Sequence, residues 1–91
     1  TMEEARKIAR HLLEKRLIAC ANIFPISSLY WWEGKIADDN EFVLLVKTSD
    51  FNFEKVMDEV EKMHSYDVPA IIRIPVSSNR KYFDWLTGEL E

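Results

Sequence analysis

The segment 28–36, with the sequence Ser-Leu-Tyr-Trp-Trp-Glu-Gly-Lys-Ile, constrains the fold of this chain more than any other stretch. Apolar, strand-like runs flank it at residues 17–24 and 42–46, and two such runs joined by a short glycine-containing corner are typical of a β-hairpin. Gly34 supplies the positive φ that this corner needs. We therefore expect a long hairpin whose tip carries large aromatic rings. Such rings bury much surface when they pack, and a second subunit is one source of their cover.

The composition is that of one ordinary globular domain spanning residues 1–91. The apolar fraction is 47%, and only two glycines and three prolines occur, which argues against disorder. A net charge of −4 argues against nucleic-acid binding, which needs clustered basic residues. No apolar run approaches the roughly 18 residues of a membrane span. The single cysteine excludes an internal disulfide and suits a reducing cytoplasm.

Helical periodicity and capping signals predict three helices. Residues 1–4 have the form of a capping box, and apolar residues then recur at helical spacing, which predicts a helix at residues 2–16. Ser49-Asp50 offers a cap for a second amphipathic helix that ends near His64. Ser78-Asn79 caps a short final helix that carries four large apolar side chains: Tyr82, Phe83, Trp85 and Leu86.

The strands of the hairpin are each predicted to be interrupted once. The first strand covers residues 17–24, is broken by Pro25 at an edge position or a bulge, and resumes to Trp32. The second runs from Lys35 through a polar interruption at residues 38–40 to Thr48. A third strand is expected at residues 70–76.

This order of elements lacks one strand of a known architecture. A β-α-β-β-α-β unit closes a four-stranded sheet with both helices on one face, and only its opening strand has no counterpart here. We therefore expect an α+β, ferredoxin-like fold with an additional C-terminal helix and roughly ten residues preceding Thr1. The alternative is a three-stranded sheet.

Several short motifs, taken in order, make the chain resemble the CutA divalent-cation tolerance family from end to end. They are Ala19-Cys20-Ala21-Asn22-Ile23, Ser28-Leu29-Tyr30-Trp31-Trp32-Glu33-Gly34-Lys35-Ile36, Glu41, Lys47-Thr48, His64-Ser65-Tyr66-Asp67-Val68-Pro69 and Tyr82-Phe83-Asp84-Trp85.

The resemblance implies a fold like that of the PII signalling proteins and a tight homotrimer in which long hairpins pack across subunits. It also implies an opening strand, the element that is lacking here. The residues expected at the hairpin and between subunits are Tyr30, Trp31, Trp32, Glu33, Gly34, Lys35 and Trp85.

His64 is the candidate metal ligand. An imidazole suits copper or zinc, although a histidine at a helix C-terminus is stabilising without any ligand. The resemblance implies copper bound through adjacent histidines of this motif and a cysteine of the opening strand, of which only His64 is present. Met63 occupies the neighbouring position, where a thioether could serve Cu(I) or simply pack.

Cys20 and the charged residues of the hairpin could serve a function, but each also has an ordinary structural explanation. Cys20 lies in an apolar run, where a thiol is inert more often than it is a ligand. Residues 38–41 form an acidic cluster without the spacing or glycine of a calcium loop. Glu33 and Lys35 could pair with charges across the hairpin or between subunits.

Tyr66 and Tyr82 could line a cleft between subunits, as in PII-like proteins, although packing explains them equally. Two glycines cannot build a phosphate-binding loop, and no hydrolase-like spacing of nucleophile, histidine and acid occurs. We therefore expect a non-enzymatic, trimeric, cytoplasmic protein of divalent-metal tolerance that binds copper weakly if at all. The alternative is a PII-like regulatory or scaffold module that binds a small ligand or partner between subunits.

Overall fold

The computed structural model describes residues 1–91 and is built of three helices and one long hairpin. The α+β class and the central hairpin are thus confirmed. The longest helix has 13 residues, and none is both long and apolar enough to cross a membrane. In chain order the elements are α1 (Met2–Glu14), β1 (Cys20–Trp32), β2 (Lys35–Lys47), a 3-10 turn (Asp50–Asn52), α2 (Phe53–Met63) and α3 (Arg80–Glu89).

Helix α1 begins and ends with defined capping motifs. The Thr1 hydroxyl accepts a hydrogen bond from the Glu4 N–H at 3.1 Å, as the capping box predicts. At the other end the N–H of Leu17 donates to Leu12 O at 3.0 Å and that of Arg16 donates to Leu13 O at 3.0 Å, which is a Schellman motif. The helix ends two residues earlier than predicted because Arg16 has a left-handed backbone, with φ 61°.

The core lies where the two long helices cover the base of the hairpin. Four buried side chains from α1, the segment after it and α2 form its centre: Ile8, Leu12, Ile18 and Val56. Partly buried side chains from the segment after α1, from both strands and from the end of α2 complete it: Leu17, Ala21, Leu44, Val46, Val60 and Met63. The tip of the hairpin therefore projects away from the core.

The hairpin pairs without interruption from Cys20 opposite Lys47 to Trp32 opposite Lys35. Pro25 pairs with Phe42 in an even register, so the predicted bulge is wrong and the edge position is right. In a two-stranded sheet each strand has a free edge, where a missing N–H costs no ladder bond. The predicted interruption at residues 38–40 is also wrong, because these exposed polar side chains continue the ladder without being buried.

The two-residue turn at the hairpin tip has positive φ at both positions, 51° at Glu33 and 78° at Gly34. This is the pattern of a type I′ turn, whose twist matches that of the strands. The positive φ predicted for Gly34 is confirmed.

The third strand expected at residues 70–76 does not form. Residues 65–78 make no hydrogen bond between backbone groups, so the alternating apolar side chains of this segment have no ladder to join. Ile72, Ile74 and Val76 are consequently exposed. A strand depends on a neighbour as well as on its own β-propensity.

Candidate functional site

His64 caps the C-terminus of α2 and begins the segment that leads to α3. Its backbone N–H donates to Val60 O at 2.8 Å. Its ring Nδ1 accepts a hydrogen bond from the Tyr66 N–H at 3.0 Å, and the two rings lie 4.7 Å apart. With Nδ1 engaged as an acceptor, the neutral ring carries its proton on Nε2, which donates to solvent and can bind a metal only after the ring releases that proton.

The other predicted metal donors do not gather around His64. Met63 packs against the core, and the Cys20 thiol lies 3.8 Å from Asn22 Oδ1, to which it donates. No three histidine, cysteine or acidic side chains converge anywhere in the chain. One copy thus offers copper a single imidazole nitrogen, which does not fit a closed chelating site of several donors.

The segment after His64 is tied to the start of α1. The Ser65 N–H donates to Glu4 Oε2 at 2.9 Å. Hydrogen bonding by Ser65, with a smaller contribution from the nearby His64, lowers the pKa of the Glu4 carboxyl. Glu4 therefore joins the beginning of α1 to the end of α2.

Two tyrosines and two acids form a phenol–carboxylate cluster: Tyr30, Asp39, Glu41 and Tyr66. Tyr30 donates through its hydroxyl to Asp39 Oδ2 at 2.8 Å, and this bond above all raises the pKa of Tyr30 to about 12. The neighbouring Glu41 raises the pKa of Tyr66 in the same way. In this cluster a neighbouring carboxylate favours the neutral form of each phenol.

Sequence reasoning missed this cluster because it treated its tyrosines and its acids separately. The hairpin register carried the necessary signal, since Tyr30 opposite Ala37 places Asp39 on the same face, two residues along the partner strand. The position of Tyr66 depends on the segment 65–78, which the sequence pattern did not place.

The aromatic residues of α3 form a separate group. The Tyr82 and Trp85 rings lie 5.5 Å apart, and Lys47 Nζ lies 5.5 Å from the centroid of the Tyr82 ring. Tyr66 packs against His64 instead, with the two rings tilted by 54°, so the two tyrosines proposed for a cleft belong to different ring pairs of one chain. A cleft between copies stays a prediction.

The hairpin tip presents large apolar side chains to solvent, and the three most exposed share one face, since Trp31 lies opposite Ile36 and two residues from Leu29. Leu29 is 71% exposed, Trp31 73% and Ile36 65%, and only 7 of the 91 residues are buried. Glu33 and Lys35, also at the tip, form no ion pair within the chain. Exposed apolar area of this extent marks a surface that contacts another molecule.

Comparisons with known proteins agree with this architecture. The family model for the CutA1 divalent ion tolerance protein matches residues 1–89. The divalent-cation tolerance protein CutA of Archaeoglobus fulgidus is 51% identical over 92 residues, which cover all of this chain and 90% of that protein.

Two solved structures are similar along nearly the whole chain. The periplasmic divalent cation tolerance protein CutA from Archaeoglobus fulgidus has a TM-score of 0.98 at 49% identity, covering 100% of this chain and 90% of that one. The PII-like protein CutA from Nostoc sp. PCC 7120, in apo form, has a TM-score of 0.91 at 33% identity, covering 98% and 88%. The chain therefore belongs to the CutA1 divalent ion tolerance family.

Proposed function

We propose that this chain acts in the tolerance of divalent metal ions as a non-enzymatic, PII-like subunit. The observation that carries the proposal is the family match, which covers residues 1–89 of the 91. The test is growth of a host strain lacking the gene over a series of copper and zinc concentrations. We expect sensitivity that the intact gene reverses, and unchanged growth in both metals would contradict the proposal.

The absence of an enzymatic role is supported by the chemistry of the phenol–carboxylate cluster. Tyr30 and Asp39 are bonded to each other, and the raised pKa of Tyr30, about 12, keeps its phenol protonated at neutral pH. A protonated phenol that donates to a carboxylate is not a nucleophile. Saturable turnover that disappears in His64→Ala would overturn this part of the proposal.

The functional unit is a homotrimer, an assignment that surface area supports. The chain exposes 7213 Å². A folded monomer of 10.8 kDa is expected to expose about 5,500 Å². The excess of about 1,700 Å² is of the size that two standard interfaces of about 800 Å² per partner would cover. A subunit of a cyclic trimer has two such interfaces.

Sedimentation equilibrium tests the trimer directly. We expect a species of about 32 kDa, three times the chain mass, at micromolar concentration. A stable monomer in dilute buffer would contradict the assignment.

Copper contact, where it occurs, is made by His64 Nε2 and is weak. The weakness is expected because Nδ1 accepts a hydrogen bond from the Tyr66 N–H, so the neutral ring carries its proton on Nε2 and must release it before Nε2 can bind the metal. His11 is the matched control, because it is the only other histidine and its Nε2 lies 2.8 Å from Glu59 Oε2.

A copper titration by calorimetry compares wild type, His64→Ala and His11→Ala, with zinc as the second metal. We expect binding that is lost in His64→Ala and kept in His11→Ala. Equal binding in all three proteins would remove His64 from consideration as a ligand.

A second candidate function is that of a regulatory module that binds a small ligand between copies. It is favoured by the similarity to the Nostoc protein, which is itself described as PII-like. Thermal unfolding in metal-free buffer, with nucleotides and small organic anions added singly, distinguishes it, because a ligand that binds only the folded state raises the midpoint. A shift without metal would favour this candidate over direct metal handling.

The compartment proposed for the protein is the cytoplasm. The single free cysteine supports a reducing environment, whereas the similar Archaeoglobus structure is described as periplasmic. Fractionation of the host cell, with detection of the native protein, decides between the two compartments.

A further inference from the structure

The His64 ring makes two contacts with Tyr66, one through a ring nitrogen and one between the two rings. Nδ1 accepts a hydrogen bond from the Tyr66 N–H at 3.0 Å, and the ring centroids lie 4.7 Å apart with the planes tilted by 54°. No group of three histidine, cysteine or acidic side chains surrounds His64. Its surroundings are therefore those of a hydrogen-bonded turn more than those of a metal centre.

This turn fixes the direction in which the chain leaves α2. His64 has an extended backbone, with φ −72° and ψ 140°, so the helix ends there. The next two backbone N–H groups each have a side-chain acceptor. The Ser65 N–H donates to Glu4 Oε2 at 2.9 Å, and the Tyr66 N–H donates to His64. Side chains that accept from nearby backbone N–H groups in this way set the path of a turn.

The path of this turn places Tyr66 beside the hairpin. Its phenol lies next to the Glu41 carboxylate, with Asp39 close by. The other three members of the phenol–carboxylate cluster all belong to β1 and β2, and two of them, Tyr30 and Asp39, are bonded to each other at 2.8 Å. Tyr66 is the only member from outside the hairpin. The cluster is therefore complete only when the turn after α2 is in place.

We propose that His64 is a positioning residue, whose Nδ1 holds the Tyr66 backbone so that the Tyr66 phenol completes the phenol–carboxylate cluster on the hairpin. His64 then contributes to function through Tyr66 and not through a metal bond. The part of this inference that concerns growth rests on the proposed role in metal tolerance. The structural part does not, and it can be measured without metal.

Asparagine at position 64 separates positioning from metal binding. The asparagine side-chain oxygen accepts hydrogen bonds from the backbone N–H two residues on, as His64 Nδ1 does here, but asparagine has no imidazole nitrogen. His64→Asn therefore keeps the turn and removes the metal donor, whereas His64→Ala removes both. The matched control is His11→Ala, which removes the other histidine, bonded to Glu59.

Amide hydrogen exchange, read by NMR on the assembled protein in metal-free buffer, tests the structural part. The Tyr66 N–H is expected to exchange about three- to tenfold faster in His64→Ala, as loss of one hydrogen bond predicts. It should stay within about twofold of wild type in His64→Asn and His11→Ala. Cross-relaxation between the Tyr66 ring and the Glu41 side chain should weaken only in His64→Ala. The Ser65 N–H, bound by Glu4, is the internal reference.

Growth of the host strain lacking the gene, in copper and in zinc, tests the functional part. We expect His64→Asn to restore more tolerance than His64→Ala, even though both variants lose the imidazole. Copper calorimetry of the same proteins confirms that the metal donor is absent from both. If the intact gene itself restores no tolerance, the proposed function fails, and the exchange of the Tyr66 N–H alone decides whether His64 is a positioning residue.

Two outcomes would overturn the inference. One is unchanged exchange of the Tyr66 N–H in His64→Ala, which would show that the ring does not hold the turn. The other is an equal loss of tolerance in both variants while His64→Asn keeps the slow exchange of Tyr66. That result would show that function needs the imidazole itself, as expected of a metal ligand.

Discussion

Gly34 and Gly88 both have open space where a β-carbon would lie, but their backbones differ. Gly34 has φ 78° in the hairpin turn, whereas Gly88 lies within α3. Gly34→Ala should therefore lower the free energy of unfolding by about 1 kcal/mol, because alanine is strained in the left-handed region. Gly88→Ala should raise it by about 0.5 to 1 kcal/mol through helix propensity. Urea unfolding measures both, and changes of the same sign would contradict the assigned backbones.

The sequence predicted the backbone of Gly34 but not those of Glu33 and Arg16. Glycine in a short corner signals positive φ, whereas glutamate and arginine carry no such signal. Glu33 takes φ 51° because a two-residue hairpin turn imposes it, and Arg16 takes φ 61° because a Schellman motif does. These two conformations follow from neighbouring structure and so lie beyond a residue-by-residue interpretation.

Asp39→Asn should lower the pKa of Tyr30 from about 12 toward its ordinary value of 10.0. The asparagine keeps a hydrogen-bond acceptor but removes the negative charge that opposes the phenolate. Because the folded pKa is raised, the stability from this bond is complete below pH 10 and is lost as pH rises toward 12. Phenolate absorbance during alkaline titration measures the change. Asp38→Asn is the control, since Asp38 lies on the opposite face, and an equal effect there would refute the pairing.

At the level of elements, the sequence predicted all three helices and the hairpin. Its predictions were wrong for strand features that depend on hydrogen bonding to a neighbouring strand. Pro25 and residues 38–40 resemble interruptions when a strand is considered alone, but a paired and exposed ladder accommodates both. Residues 70–76 resemble a strand by composition, yet they have no hydrogen-bonded neighbour. Helices depend on local bonds, which explains why their prediction succeeded.

Glu59 links α2 to the C-terminal end of α1 through side-chain contacts with His11 and Lys15. Its carboxylate lies 2.8 Å from His11 Nε2 and 3.1 Å from Lys15 Nζ. The bond to His11, followed by that to Lys15, lowers the pKa of Glu59 from 4.5 to about 2. A carboxyl whose folded pKa is lowered stabilises the fold above its unfolded pKa and loses that contribution as pH falls.

Glu59→Gln should therefore reduce the free energy of unfolding at pH 7, and the difference from wild type should disappear as pH falls from about 4.5 to about 2. Urea unfolding over this pH range measures it. Glu61→Gln, an exposed position on the same helix with no ion pair, is the control and should change stability little at any pH. A difference that persists unchanged at pH 2 would show that the charge of Glu59 is not responsible.

For the whole molecule, the sequence predicted the family and the need for a covering partner, but not the surfaces involved. Aromatic residues near a turn indicated cover, and Trp31 and Ile36 are indeed exposed in the single chain. The surfaces that meet in the assembly depend on where a second copy of the chain lies. No sequence pattern within one chain gives that position. The same reason leaves the proposed cleft near Tyr66 and Tyr82 undefined.

If copies cover the hairpin tip, stability must depend on protein concentration. A folded trimer in equilibrium with unfolded chains gains stability by mass action, so the thermal midpoint should rise as concentration increases. Trp31→Lys should lower the midpoint and shift the mass toward 10.8 kDa, because a charge replaces a ring that is 73% exposed in the single chain. It should leave helical content unchanged, since Trp31 lies outside the buried core.

The control is Glu33→Lys at the adjacent turn, which also adds positive charge at the tip but removes no apolar surface. Calorimetry at several concentrations and sedimentation of each variant measure the two quantities. A midpoint independent of concentration in wild type would refute assembly altogether. Equal loss of assembly in Glu33→Lys and Trp31→Lys would show that charge at the tip, rather than burial of the Trp31 ring, controls association.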